Sequence, residues 1–482
     1  MSDAQQNMAF TRLEIAKLLT VDRDKASTLL SLDAHPLLRE YFARQLRKKH
    51  PEAWRAAHRR LYEYLCETTK EGVEPTLEEL QPLYQAVAHG CQAGMHQEAL
   101  QEIYFARIIR KGEMYSARKL GAFGSDLAAI AYFFEQPWSR LSPSLTKIDQ
   151  AWLLNEAAFN LRVLGRLTEA IEPMRAAIKM RVEQEVWHSA AISGVNLSEL
   201  ELILGDVAIA VGDAEQSIKY ADGSGDIFQR MVSRTVHADA LHQLSRRAEA
   251  EISFREAEEL LVVSRPDYPL LYSLGGFRYC DLLLVTPERA AWHASSSGKV
   301  LPEEDYVACA TILESVSRRT DQTLHWAEKN RDSLLDIALN HLTLGRATLY
   351  ESILEGSSLD PCRTSVQHGV DGLRRAGDTT RLPLGLLTRA WFLALTGAHT
   401  GPDSAQTDLD EAWEIAERGP MPLFMADIHM YRARLFFRED YPWESPQRDL
   451  AEARRLIVKH GYWRRKEELE DAEQAILGEA KK

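Results

Sequence analysis

LGRLTEAIEPMRAAI (164–178), LGDVAIAVGDAEQSI (204–218) and LSRRAEAEISFREAE (244–258) lie forty residues apart. Each has a small residue after its leading Leu (Gly165, Gly205, Ser245), another five later (Ala170, Ala210, Ala250) and a third seven beyond that (Ala177, Ser217, Ala257). A fourth register puts Ala290 at the matching place. An earlier, weaker unit, CQAGMHQEALQEIYFARI, carries Gly94, Ala99 and Ala106. Near the C-terminus, DLDEAWEIAERG (408–419) and DLAEARRLIVKHG (449–461) recur at a spacing of 41. Between these marks Ala and Leu fall at three- and four-residue intervals with charges between them, the pattern of amphipathic helices. The first small residue suits the turn between two helices, and the others let neighbouring helices approach closely. One such hairpin cannot bury its apolar face alone, so the hairpins must stack into a superhelix.

The rest of the chain fits an all-α reading. Strand signals are weak, and Gly and Pro fall mostly between the helical stretches. PWSRLSPSL (137–145) is a break, with Pro137 and Pro143 ending one helix before another begins near Thr146. The division expected is a helical N-terminal segment (1–70), first hairpins and a connector (76–150), repeats of period forty (151–300), a second connector (301–330) and C-terminal repeats (331–475).

Composition bounds the function. The 482 residues include 58 Lys+Arg and 71 Asp+Glu, a net charge of −13, with 45% apolar residues. That is too apolar for disorder and too acidic for a chain built mainly to coat nucleic acid. Apolar stretches such as Ala128 to Phe134 fall far short of the ~20 residues of a membrane span. Five scattered cysteines with no CxxC spacing suggest neither a disulfide framework nor a zinc site, and a reducing cytoplasm fits them best.

No chemistry stands out. There is no HExxH, no GxSxG and no GxxxxGK[ST]. His293-Ala-Ser-Ser-Ser-Gly298-Lys299-Val300 lacks the first Gly and the terminal Ser/Thr of a phosphate loop. Neither His237 with His242 nor His89 with His96 has a third ligand nearby, and Cys280 sits in an apolar run as a buried small hydrophobe would. The expectation is a protein that is not an enzyme and needs no metal or cofactor. Recognition remains. In a stack of this kind the first helix of each hairpin lines the concave face. The period picks out Asn155, Arg162, Asn196, Glu199, Asp239, His242, Arg278 and Tyr279 as partner-binding positions there. An Asn amide can both donate to and accept from an extended peptide, and Arg can fork onto a carboxylate or phosphate.

The small-residue spacing resembles the tetratricopeptide pattern, with a period of 40 where 34 is usual, so each helix should be nearly a turn longer. The match is good at 151–260, weaker at 83–110 and 271–300, and diverged at 331–475. The N-terminal string HPLLREYF (35–42) resembles the end of the winged-helix domain in bacterial signal-transduction ATPases with numerous domains, the STAND or NLR-like class. His35 stands where that class has a nucleotide-sensing His, with Pro36 in place of the common Asp. KLGAFGSDLAAIAYFFEQPW, NLSELELILGD, YPLLYSLGGFRYCDLLL, LNHLTLGRA, VDGLRRAGDTTRLPLGLLTRA and HGYWRRKEELEDAE resemble the same group. The resemblance implies a sensor that binds a trigger or partner protein on its concave face and controls an upstream ATPase or effector, often in defence against phage. The ATPase core itself is not in this sequence, which suggests either a trimmed C-terminal part or a stand-alone sensor. The alternative is a ligand-sensing transcription regulator with its basic N-terminal helices on DNA. Between Arg39 and Arg60 there are eight Lys/Arg and two acidic residues, but the overall charge makes nucleic acid the weaker choice.

Overall fold

The structure, a computed structural model, describes residues 3–24, 29–297, 301–330 and 332–479. Three helix pairs follow one another at the forty-residue interval: Lys147–Val163 with Leu167–Glu183, Trp187–Ile203 with Val207–Ser224, and Ile227–Gln243 with Arg247–Ser264. Their turns use the left-handed region at the positions the spacing marks: Gly165 (φ 76°), Gly205 (φ 83°) and Ser245 (φ 66°). Ala170, Ala210, Ala250, Ala177, Ser217 and Ala257 are all fully buried between helices. The chain is an all-α superhelix of stacked helical hairpins of tetratricopeptide type.

The pattern fails where its local causes fail. In the fourth unit the first helix, Ser273–Leu283, is short, and Val285 stands where the turn glycine would. The following helix shifts by one residue, so Ala291 is buried and Ala290 only half-buried. In the early unit Ala99–Ile108 is a π-helix. Its wider turn leaves Ala99 buried but moves Ala106 off the seam.

Residues 301–330 do not separate two stacks. Most of them form one 27-residue helix, Glu303–Lys329, which buries Leu313, Val316 and Ala327. A single apolar cluster runs from Leu127 to Phe436. At its heart Trp292 and Trp391 stack at 3.6 Å between ring centres, with Tyr431 edge-on. PWSRLSPSL falls in a small hairpin, Phe134–Gln136 with Arg140–Leu141. The N-terminal segment also holds strands that the sequence reading lacked: Leu19–Arg23 pairs antiparallel with Leu29–Ala34, between helices Asp3–Ile15 and Pro36–Lys49.

The superhelix closes on itself. The Thr379 amide and hydroxyl both donate to the Val163 carbonyl, at 3.0 and 2.7 Å. His460 Nδ1 lies 3.1 Å from the Gly205 carbonyl. A Cβ on Gly205 would come within 2.4 Å of Pro422 and 2.5 Å of His460, so this turn needs glycine twice over.

Two substitutions in one hairpin should therefore act oppositely. Ser245→Gly relieves a left-handed backbone and raises the unfolding free energy by about 1 kcal/mol. Ala250→Leu overpacks the seam and lowers it by roughly 1–3 kcal/mol. Urea midpoints at constant m-value measure both.

Candidate functional site

The inner wall of the superhelix is where the first helices of the hairpins converge, and it is built from charges. Glu199, on Trp187–Ile203, accepts from Arg162 Nη1 at 2.6 Å through one oxygen and from Arg278 Nη2 through the other. Arg381 Nη2 stands 4.0 Å from the same carboxylate, and Arg278 Nε is 3.1 Å from Asp239. A second centre forms around Asp281, which accepts from Arg346 Nη1 at 2.8 Å and from both terminal nitrogens of Arg464 at 2.5 and 3.1 Å. Glu288 joins Arg346 to Arg465, each at 3.1 Å. Arg465 continues to Asp427 at 2.9 Å and Glu468 at 2.7 Å. These contacts tie the early repeats to the last ones.

Burial opposes ionisation of Glu199 and Asp281. The guanidiniums around them outweigh it and hold both well below the usual carboxylate range. The same burial, reinforced by Arg464, pushes His242 far below the ordinary histidine value, so its ring is neutral at pH 7. Between the two centres lies a cavity of about 120 Å³, lined by Glu199, Arg278 and Arg381 together with Phe277, Leu384 and Leu387.

The positions singled out by the period divide into groups. Arg162, Glu199, Asp239 and Arg278 meet in one ion network, and all but the half-buried Asp239 are buried. Arg278, expected as a partner-binding position, is thus a structural partner of two carboxylates. His242 is fully buried 3.8 Å from Asp281, and neither ring nitrogen has a hydrogen-bond partner. Asn155 accepts from Ser193 at 2.8 Å and from Asn196 at 3.3 Å, stitching adjacent repeats together. Tyr279 turns away from the inner wall, stacking on Phe254 with Arg319 over its ring. His35 caps the helix Pro36–Lys49 by accepting from the Leu37 amide at 3.3 Å.

Sequence reasoning missed Asp281, Glu288, Arg346, Arg381, Arg464 and Arg465. Charges inside apolar runs, as in FRYCDLLL and LTLGRATL, were the available signal. Cys280 is buried, and burial pushes its thiol up, as for an inert core cysteine. Gly298 and Lys299 lie outside the described residues. Among the described residues no group of three or more His, Cys, Asp and Glu is placed to hold a metal ion, and no helix is long and apolar enough to cross a membrane.

No protein-family model matches the chain, and no curated protein does. Among solved structures the chain is similar to the Rap conjugation gene regulator of the plasmid pLS20, determined in complex with a Phr peptide. The match covers 88% of this chain and 98% of that one, at 12% identity and a TM-score of 0.41.

Two variants test the electrostatics. Glu199→Gln leaves buried guanidiniums without their anion and should lower stability by roughly 3–5 kcal/mol in urea unfolding. Glu249→Gln, which breaks the exposed pair with Arg246, should leave the midpoint unchanged. A pH test concerns Glu201, which burial and neighbouring Asp213 raise to about 8, against the opposing pull of Arg175. Glu156 is raised by burial to about 7. A carboxyl raised in the fold keeps a proton that the unfolded chain has already released, so stability is lost as pH rises through the folded value. Depressed histidines such as His242 act in the other direction, below the ordinary histidine range. The melting temperature should therefore fall from about pH 7 to about pH 9, and Glu201→Gln should flatten that fall.

Proposed function

We propose that this chain is a non-enzymatic recognition scaffold in which a protein or peptide partner engages the inner wall of the superhelix. The observation that carries the reading is the chemistry of that wall. Early and late repeats are joined there by buried ion pairs, Arg464 with Asp281 and Arg465 with Glu288 among them. Well-packed apolar residues would hold such a seam as firmly or more so. Charge pairs differ in one respect: a partner bringing its own charges can replace them. A trigger that binds the open arrangement more tightly than the closed one then shifts the population between them.

The resemblance of several sequence strings to the STAND class supports a more specific role. In it the scaffold is the sensor module of a cytoplasmic bacterial signalling or defence system, with an upstream ATPase or effector, or the trigger protein, as its partner. The DNA-binding alternative has one observation in its favour, since all eight Lys/Arg between Arg39 and Arg60 are exposed. The helix Pro36–Lys49 also exposes Leu37, Tyr41 and Phe42, which suits a protein contact better than a phosphate backbone.

Co-purification from the native host with mass spectrometry identifies the partner, and its affinity is then measured against two variants. The paired change Asp281→Asn with Arg464→Gln should alter affinity at least tenfold with helical circular dichroism retained. Phe42→Ser should leave it unchanged. The reverse result would move the binding surface to the N-terminal helices.

A further inference from the structure

We propose that a second cavity, walled by Tyr268, Tyr272 and Trp326, binds a methylated ammonium group. The site is separate from the inner wall, and the inference stands or falls independently of the reading above.

The first ground is the arrangement of the rings. The cavity, of about 210 Å³, lies where the loop 265–272 meets the end of the helix Glu303–Lys329 and the start of the helix Leu334–Glu355. Tyr268 stands 5.0 Å from Trp326 at 72° and 6.4 Å from Tyr272 at 55°. Rings at such angles form a corner and not a slot, so a flat ligand finds no parallel pair to enter. A compact, rounded cation suits ring faces turned around one space. Both tyrosines are tethered through their hydroxyls. Arg265 Nη1 donates to the Tyr272 oxygen at 2.9 Å, and Asn330 Nδ2 to that of Tyr268 at 3.4 Å. At the end of the loop Ser273, a left-handed residue without glycine's freedom (φ 56°), donates its hydroxyl to Asp336. Backbone strain of this kind persists only where the surroundings enforce it, and here it holds the loop against Asp336.

The second ground is the charge around the rings. Asp332 and Asp336 line the cavity with one base, Arg265. Both carboxylates bear on Tyr272, whose phenol burial pushes up with their help and against Arg265. Lys119 and Arg118 oppose them from nearby, but Lys119 donates to the backbone carbonyl of Asp332, at 3.2 Å. Burial and Asp336 still push the Asp332 carboxyl up. The walls are thus acidic, with the bases offsetting much of the charge, and this selects the ligand. A primary ammonium or a metal ion would give up a tightly held water shell for little net attraction. A methylated ammonium holds water loosely, and its attraction to ring faces needs no net charge on the walls.

The test titrates the full chain by calorimetry with choline, with neohexanol (its uncharged isostere), with calcium chloride, and with a short peptide carrying one lysine, unmethylated or trimethylated. Choline or the trimethylated peptide should bind at least tenfold more tightly than its uncharged or unmethylated counterpart. Comparing the two tells a free small molecule from a modified side chain. Tyr268→Leu should weaken that ligand at least tenfold, and Tyr268→Phe, which keeps the ring face, should retain it. Asp332→Asn, at a half-buried position, should weaken it severalfold with circular dichroism and melting temperature unchanged. If choline binds no better than neohexanol and the trimethylated peptide no better than the unmethylated one, the space is a plain apolar hole. If calcium binds more tightly than either methylated ligand, it is a plain acidic one. Each result overturns the proposal, as does the absence of binding by both methylated ligands or a loss in Tyr268→Phe as large as in Tyr268→Leu.

Discussion

Glu199 receives guanidiniums from parts of the chain that are distant in sequence. Arg162 reaches it from the preceding repeat, Arg278 from two helix pairs further on, and Arg381 faces it from the far side of the coil. A single carboxylate cannot satisfy donors from such separated elements unless the superhelix winds tightly enough to bring them around it. The winding follows from the same demand elsewhere. Asp281 draws Arg464 inward across 183 positions of sequence, and Glu288 draws Arg465 across 177. Glycine at 205 then lets Pro422 and His460 approach. The pitch of the coil is thus set jointly by small residues in the seams and by charges that must find partners once they have left water.

The contrast between Glu199 and Glu201 shows how local that demand is. They are two residues apart on one helix, so their side chains leave it in nearly opposite directions. Glu199 faces the arginines and stays ionised. Glu201 faces Asp213 and the flank of Arg175, and burial keeps its proton on near neutral pH. Asp126, held by hydroxyls from Tyr84 at 2.7 Å and Ser116 at 2.8 Å and raised by burial to about 6, lies between the two. Neutral hydroxyls satisfy an acid without stabilising its charge as a guanidinium does. Residue type alone therefore does not decide which buried acids are ionic partners and which hold their proton.

What could be read from the sequence follows the same division between local and distant causes. The repeats were legible because each recurring position has a cause within its own hairpin: a left-handed turn at 165, 205 and 245, and helix seams at 170, 210 and 250. The unit after Ser264 blurred because its first helix is short and its turn lacks glycine. The strands at 19–23 and 29–34 escaped notice because a hairpin of five and six residues offers too little alternation to stand out. On the inner wall, Glu199 and Asp239 stand forty residues apart and could be picked by period, with Arg162 and Arg278 close to that register on the flanking helices. Their partners could not. Arg381, Arg464 and Arg465 follow turns in the diverged C-terminal repeats, and only the closure of the coil reveals what they meet. Periodicity identified a lining and was silent on whether its members faced an open groove or one another.

The distribution of polarity sharpens that last point. In most domains apolar groups fill the interior and charges face water. Here the inner wall gathers arginines and carboxylates, while the helix Pro36–Lys49 buries none of its residues and exposes Leu37, Tyr41 and Phe42. Neither arrangement is the one stability alone would favour. Buried ion pairs gain little over apolar packing, and exposed aromatic residues forgo burial that would stabilise the fold. The two departures differ in kind. An exposed apolar stripe can only gain by being covered. A charge-lined interior is already paired and can be reopened only by a competitor of matching charge.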